Sequence, residues 1–481
     1  MSAVVGGLRR AVSRVVPSVQ ASSALPTLVG QPTHESHPEL LAPGELAPGI
    51  QASEFAARRA SLAARMPLGS CALVPATAVA YMTGVIPYPY RQDADFLYLT
   101  GITQPGAVAL ITAGQGDMVL FVTDPDETRE RWDGARCSAA AATDVFGAVA
   151  AYPMSELPRQ LPRMLGSSSA VYYDAGRHAS SELRALSTAE LGVREGALRA
   201  LRTLTHAARW RKSPGELALM ARSSALAEAG LLRAMRQSGA PGVGEHHLAA
   251  GFERDCRWGG AARMAYPPVV ASGADACTIH YSRNDKALAP GSALLFDGGC
   301  ELHGYCSDVT RTWPVGGRFS PAQRDVYQVV HGVQQQLLEW CRPGATLRQL
   351  HEQSVRLLTE GVSDLGLLPG RSAGAIAQGA IRAFYPHSVG HWLGLDTHDV
   401  PGVAHDTPLQ PGVTLTVEPG LYIPDQERYG ALAGIGVRIE DVVQINDSPG
   451  CSVLSRSVPT DADSIEEFIA RGRGEGEPEL P

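Results

Sequence analysis

Asp297, Asp308, His391, Glu418 and Glu440 lie in the C-terminal half of this 481-residue sequence, each inside a local pattern that a solvated surface charge does not need. Asp297 and Glu418 each close a short apolar run, Ala-Leu-Leu-Phe before the first and Val-Thr-Leu-Thr-Val before the second. Four carboxylates and one imidazole make a hard, oxygen-rich donor set. It suits two divalent ions of the Mn²⁺ kind better than one zinc held by Cys and His. Facing one another, four negative charges raise their own pKa values unless cations balance them, and two divalent ions supply the matching charge. Coordination lowers the pKa of water from 15.7 to roughly 7, so the set points to metal-assisted hydrolysis.

Histidines supply further candidates. His387, His391 and His398 crowd one segment, Pro386-His-Ser-Val-Gly-His391-Trp-Leu-Gly-Leu-Asp-Thr-His398-Asp399, and His280 stands in Thr278-Ile-His-Tyr281. The i, i+4 spacing of His387 and His391 is that of a helical zinc site. No Glu follows His387 to complete that motif, and Gly390 and Gly394 disfavour a helix, so the segment is expected as a loop or strand.

The elements that must position these residues show a repeated grammar. Ser213-Pro-Gly-Glu216 is a capping box with Pro at the first helical position, followed by Leu217, Met220, Ala221 and Ala225 as an expected apolar stripe. Ser320-Pro-Ala-Gln323 starts a second helix in the same way, followed by Val326, Val329, Val330 and Val333. A Pro-Gly break follows each helix, at Pro241-Gly242 and Pro343-Gly344, and then a second helix. Later, Pro290-Gly291 runs into the strand ending at Asp297, and Pro411-Gly412 into the one ending at Glu418. This reads as an internal duplication: two antiparallel sheets about a pseudo-twofold axis, helix pairs outside, and ligands from both halves. Alternation puts Asp308, Thr310 and Thr312 on one face of their strand and Tyr305, Val309 and Trp313 on the other; Arg438 shares a face with Glu440.

Composition bounds the remaining possibilities. With 44% hydrophobic and 19% charged residues the chain can bury large cores, and its length predicts two domains plus tails. A net charge of -8 without a long basic run leaves no nucleic-acid footprint. The eight cysteines are dispersed with no C-x-x-C, as reduced thiols are, and no apolar run is long enough to span a membrane. Residues 1–34 carry Arg9, Arg10, Arg14 and several serines with no acidic residue, the composition of a transit peptide, mitochondrial before plastid or cytoplasmic as the destination. From 35 to about 205, Ala72-Leu-Val74, Ala107–Ile111 and Met118–Val122 are expected as buried strands of an α/β unit. The segment Tyr88–Tyr98 reads either as a binding edge or as a packed loop.

The runs Thr278-Ile-His280-Tyr281, Leu295-Phe-Asp297-Gly-Gly, Ser307-Asp308-Val-Thr-Arg-Thr-Trp-Pro314, His387-Ser-Val-Gly-His391, Thr397-His398-Asp399, Val417-Glu418-Pro-Gly-Leu-Tyr422 and Val437-Arg-Ile-Glu440-Asp together resemble the pita-bread metallopeptidases, most closely aminopeptidase P. Arg91-Gln-Asp-Ala-Asp-Phe-Leu-Tyr-Leu-Thr-Gly101 resembles that family's N-terminal domain, and His37-Pro-Glu-Leu-Leu-Ala-Pro-Gly44 its mitochondrial branch. The resemblance, together with the leader's composition, implies an α+β chain: a transit peptide over 1–34, a smaller α/β domain over 35–205, a pita-bread (creatinase/aminopeptidase) catalytic domain over 206–470, and a disordered tail over 471–481.

By the same resemblance Asp297 binds one metal, His391 and Glu418 the other, and Asp308 and Glu440 bridge them. His280 and His398 contact the scissile carbonyl and the tetrahedral intermediate. His387 borders the pocket for the residue after the cleaved bond, and Arg438 orients ligands or substrate. The implied activity is removal of the N-terminal residue from peptides or proteins, preferentially before proline, by a hydroxide activated on two metals. The implied assembly is a homodimer or homotetramer. A prolidase restricted to Xaa-Pro dipeptides uses the same ligands and stays open as an alternative, as does a non-catalytic pita-bread module that binds peptides or proteins. A methionine aminopeptidase shares the fold but lacks the large N-terminal domain.

Overall fold

The computed structural model describes residues 29–174, 183, 191, 193–194, 196–368, 379–448 and 450–472. The basic leader over residues 1–28 and residues 473–481 of the tail lie outside the described residues. The chain divides into two compact units, Met1–Arg209 and Trp210–Pro481.

In the first unit, helices α1 (Ala52–Ala64) and α2 (Ala94–Thr100) accompany the strands β1 (Cys71–Pro75), β2 (Val108–Thr112) and β3 (Met118–Val122), the three runs expected as strands. With β4 (Ala150–Pro153), β5 (Val171–Tyr172) and β6 (Leu198–Arg199) they form one sheet of order β6-β5-β1-β2-β3-β4. Strand alternation explains its core. Cys71, Leu73, Val108, Leu110, Val119 and Phe121 share one face and pack on Leu157, Leu161 and Leu165 of helix α3 (Leu157–Leu165). The other alternation, Ala72, Val74, Ala109 and Ile111, is buried too, and α1 and α2 pack against β2 and β1. Burial on both faces is why these runs read as continuously apolar. Each large aliphatic side chain so buried contributes about 1.5–3 kcal/mol.

From Gln92 onward the Tyr88–Tyr98 segment is a packed loop and helix start, while Tyr88 and Pro89 at its beginning are exposed. Gln92 Oε1 accepts from Thr77 N at 2.9 Å, and its Nε2 donates to Gln104 O at 2.7 Å. Asp93 caps α2 by accepting from Phe96 N at 2.9 Å.

The second unit repeats one plan twice. Helices α4 (Pro214–Gln237) and α5 (Glu245–Trp258) pack together, as do α6 (Pro321–Trp340) and α7 (Leu347–Asp364). Both predicted capping boxes are formed, Ser213 with Glu216 and Ser320 with Gln323. The apolar stripe of α4 is not the expected one. Met220 is buried, but Ala225 is exposed and Leu217 and Ala221 only half-buried, whereas Leu219, Ser223, Ser224, Ala227 and Leu231 face inward. An apolar-only count misses this face because it includes buried serines, Ser223 satisfied by donating its Oγ to Cys300 O at 2.9 Å. On α6, Val326, Val330 and Val333 are buried as expected, and Val329 is half-buried.

Each helix pair is followed by an antiparallel sheet. In the first half β7 (Val269–Ser272), β8 (Ala293–Gly298) and β9 (Val309–Pro314) pair in that order. In the second, β10 (Thr414–Val417) pairs with β13 (Asp441–Ile445), which pairs with β14 (Cys451–Val453); β11 (Gly420–Tyr422) and β12 (Gly436–Arg438) form the intervening pair. Gly291 and Gly412, at φ 85° and 84°, turn the chain into β8 and β10. That φ at the residue after Pro is the type II turn, open to Gly at little steric cost. An antiparallel bridge between Thr310 and Glu440 joins the two halves. A last helix, α8 (Ala462–Gly472), runs two residues into the segment assigned to the tail. All eight cysteines are free thiols, six of them buried. Among the described residues no helix is long and apolar enough to cross a membrane.

Candidate metal centre

Strand period places the first-half ligands. On β8, Phe296 turns away to pack on Phe252 and Trp313, with ring centroids 5.2 and 6.1 Å away, so its neighbour Asp297 faces the opposite side. Asp308 immediately precedes β9, and Thr310 and Thr312 follow it on the same face as the alternation requires. Thr310 Oγ1 donates to Glu440 Oε2 at 2.7 Å, and Thr312 Oγ1 to Arg438 O at 3.0 Å.

The histidine segment is not helical. It runs beside β10: Thr416 N donates to His391 O at 2.9 Å, Glu418 N to Val389 O at 2.8 Å, and His391 N to Thr416 Oγ1 at 3.1 Å. Gly390 permits this approach, because a Cβ there would lie 2.0 Å from Thr416 O. Those bonds bring His391 to the end of the strand that carries Glu418.

All nine nominated side chains converge on one region. Ligand atoms of Asp308, His391 and Glu440 lie within 4.8 Å of one another. His391 Nε2 stands 3.4 Å from Asp308 Oδ2 and 3.8 Å from Glu418 Oε1. Asp297 Oδ2 accepts from Arg438 Nη2 at 2.7 Å, and Glu418 Oε2 lies 3.7 Å from His387 Nδ1. The His391 and His398 rings are 4.3 Å apart. His280 and His398 are exposed, while Arg438 and Glu440 are buried. Burial lowers His387 and His398, and His280 is near enough to add a small repulsion to both.

Hydrogen bonds assign the imidazole protons. His391 Nδ1 is 3.1 Å from Trp392 O, and a carbonyl can only accept, so Nδ1 carries the proton and Nε2 is left to serve as a ligand. His387 Nδ1 likewise faces Ser388 O at 2.7 Å, so its Nε2 accepts from the Tyr422 hydroxyl at 2.8 Å. That hydroxyl accepts in turn from Arg438 Nη1 at 2.8 Å. Burial, with Arg438 nearby, drives the His387 pKa down to about 3, which keeps it neutral.

The electrostatics test whether a cation fits. Burial raises Asp297, Glu418 and Glu440: Glu418 to about 7, with Asp308 and Asp297 adding repulsion, and Glu440 well above the usual range, with Asp308 and Glu418 adding to it. Arg438 offsets part of this at each of the three. Burial pushes His391 down, but Asp308 and Glu418 outweigh it and hold its pKa at about 9. A donor set of four crowded carboxylates with one imidazole nitrogen free to coordinate is costly by itself and is relieved by divalent cations, so the residues present fit a metal centre.

Two contributors escaped the sequence reading. The Tyr266 hydroxyl bonds Asp297 Oδ1 at 2.5 Å and also bonds Asp308 Oδ1. Its sequence context, Ala-Tyr-Pro-Pro, signals only an extended segment. Thr310 was placed on the correct face but without its bonds to Glu440 and to Arg438 Nε, the latter at 3.1 Å. No local pattern announces them.

Residues 218–447 match the model of metallopeptidase family M24, and residues 55–172 that of the aminopeptidase P N-terminal domain. The chain is 42% identical over 446 residues to the mitochondrial intermediate cleaving peptidase 55 of Arabidopsis thaliana, covering 92% of this chain and 87% of that protein. It is 37% identical over 465 residues to Xaa-Pro aminopeptidase 3 of Rattus norvegicus, covering 92% and 91%. The solved structure of Pseudomonas aeruginosa aminopeptidase PepP superposes with a TM-score of 0.82 at 38% identity, covering 89% of this chain and 99% of that one.

Proposed function

Because this chain belongs to metallopeptidase family M24 and is a metallo-aminopeptidase of the aminopeptidase P type, we propose that Asp297, Asp308, His391, Glu418 and Glu440 hold its divalent ions and that the residues around them select N-termini followed by proline. The observation that carries this reading is the meeting of Asp308, His391 and Glu440 from separate segments within 4.8 Å. Charge balance against four carboxylates favours two ions, and the oxygen-rich donors favour Mn²⁺. Divalent ions held by these five residues would supply water activation and polarisation of the scissile carbonyl.

The chain's own groups do the rest. Glu418, beside His391 at the edge of the cluster, is placed to take up a proton and hand it from its carboxylate to the leaving nitrogen. His398 and His280 face the open side, where a hydrogen bond to the developing oxyanion can form. Arg438 is clamped between Asp297 and Tyr422, so its charge orients the ligand cluster. His387 stays neutral and sits against the Tyr385 and Tyr422 rings at 4.9 and 5.5 Å, a border suited to a proline ring. Proline makes the scissile nitrogen a tertiary amide without N–H, so the ring must be accepted by shape.

The assigned organisation is a catalytic domain over 206–470 behind an N-terminal domain over 35–205, acting on peptide and protein N-termini as a homodimer or homotetramer. The basic, acid-free leader and the mitochondrial relative support a mitochondrial address. Purified protein with Mn²⁺ should cleave Xaa-Pro-Xaa tripeptides and leave Xaa-Pro dipeptides intact. Turnover of dipeptides alone would convert the assignment to a prolidase, and tight peptide binding without metal or turnover to a non-catalytic module.

A further inference from the structure

We propose that Lys212, Asp399 and Val400 form a clamp that positions His398, a role that rests on the reading of His398 as a group at the reaction centre. Asp399 and Val400 directly follow His398 in the chain. The His398 ring is exposed and touches the His391 ring on one side, so its direction depends largely on the backbone that carries it. Two unusual features are built into that backbone.

The first is a buried ion pair. Lys212 Nζ lies 3.2 Å from Asp399 Oδ2, and each side chain is only 1% exposed. Lys212 Nζ also donates to Trp210 O at 3.2 Å, and the Lys212 backbone N donates to Gly412 O at 2.8 Å. Gly412 opens the turn into β10, the strand that ends at Glu418. The pair therefore ties the His398 loop to the root of the strand carrying a nominated ligand. The loop wraps closely around it: Asp399 N donates to Trp392 O at 2.9 Å, and a Cβ on Gly394 would lie 2.3 Å from Asp399 Oδ2 and 2.9 Å from Lys212 Cε.

The second is strain. Val400 has φ 40° and is fully buried. A β-branched residue in the left-handed region is a genuine outlier, and such residues persist where the surroundings over-determine them, often at functional sites. A buried ion pair is weak as a source of stability, because desolvation offsets the attraction. Neither feature is what a loop built for stability alone would use. Together they hold one backbone geometry, with the His398 ring 4.3 Å from His391.

The test is a double-mutant cycle in the metal-loaded, full-length protein with a Xaa-Pro-Xaa substrate, comparing Asp399→Asn, His398→Ala and both. Misplacing a reacting group by an ångström costs up to about 100-fold, so Asp399→Asn is expected to lower kcat about 10- to 100-fold with KM little changed. In the His398→Ala background the same substitution should cost at most about threefold, since coupling appears only between groups that act together. Val400→Gly keeps both charges and relaxes the strain. Loss of the buried Val side chain lowers Tm, so activity is read well below it; there the variant should lower kcat several-fold and, in the metal-free protein, shift the His398 imidazole NMR signals toward averaged positions. Equal losses from Asp399→Asn in both backgrounds would overturn the clamp, as would parental kcat and parental His398 signals in Val400→Gly. Parental kcat in His398→Ala alone would remove His398 from the reaction, a separate result that also ends the proposal.

Discussion

Tyr266 hydrogen-bonds Asp297 and Asp308 with a single phenol, 2.5 Å from Asp297 Oδ1, so one side chain outside the motif strands sets the spacing between two nominated ligands. Its own ionisation is suppressed, since burial and the carboxylates Asp297, Asp308 and Glu440 push its pKa well above the phenol range. It therefore acts as a neutral donor, the kind of outer partner that holds a ligating carboxylate in direction.

Removing that partner should loosen the site without emptying it. Tyr266→Phe is expected to weaken Mn²⁺ binding about 10- to 100-fold, the usual cost of losing an outer-shell hydrogen bond. Titration calorimetry with Mn²⁺ measures this directly, and an unaltered affinity would deny Tyr266 the role.

Asp308 offers a sharper test, because it touches both His391 and Tyr266. Asp308→Asn removes a charge that the cations need, and hydrolysis of a Xaa-Pro-Xaa tripeptide in Mn²⁺ should fall more than about 1,000-fold, the loss of several kcal/mol of charge stabilisation. Retained turnover would sink the two-metal assignment.

The shifted groups predict how the metal-free protein responds to pH. Glu418 is raised from 4.5 to about 7, so the folded state holds a proton there that the unfolded chain has lost, and stability falls as pH rises from 4.5 through 7. His391 is raised from 6.5 to about 9; its contribution is complete below 6.5 and disappears as pH rises through 9. Both act in the same direction. The Tm of the metal-free protein should decline between pH 6.5 and pH 9, above the range in which the lowered His387 makes stability rise with pH. Metal ions need the deprotonated ligands, so Mn²⁺ should raise Tm more at pH 9 than at pH 6. Differential scanning calorimetry with and without Mn²⁺ decides it: a Tm that rises between pH 6.5 and pH 9 in the metal-free protein contradicts the electrostatic picture.

Behind Glu440 lies a second buried ion pair. Arg311, fully buried, donates to Glu440 O at 2.6 Å and to Asp441 Oδ1 at 2.7 Å, while Gln334 holds the other Asp441 oxygen. Arg311→Met strands Asp441 as an uncompensated buried charge and should cost about 3–5 kcal/mol of stability, read from urea denaturation midpoints. A loss below 1 kcal/mol would mean that water or a rearranged loop satisfies Asp441 instead.

Much of the site was legible in the chain because its signals are local. A carboxylate closing an apolar strand, a Pro-Gly turn before it and a capping box at each helix start all sit within a few residues of what they specify. Strand alternation alone assigns Asp308, Thr310 and Thr312 to one face. The α4 stripe fails for the complementary reason: Ser223 and Ser224 point inward because partners far along the chain bond or cover them, and an apolar count is blind to that.

The sequence by itself determined the donor types, their order in two halves and the elements that present them, since helix caps, turns and the two-residue strand period are written in neighbouring residues. Only the tertiary structure decided which groups meet. The Tyr266 phenol reaching Asp308 across 42 positions, the Thr310 hydroxyl reaching Glu440 across 130 and Lys212 reaching Asp399 across 187 are pairings of segments with no shared periodicity. Such contacts form when separate elements bury against one another and their polar groups must then find partners inside, a requirement of packing and desolvation that no short stretch of sequence carries.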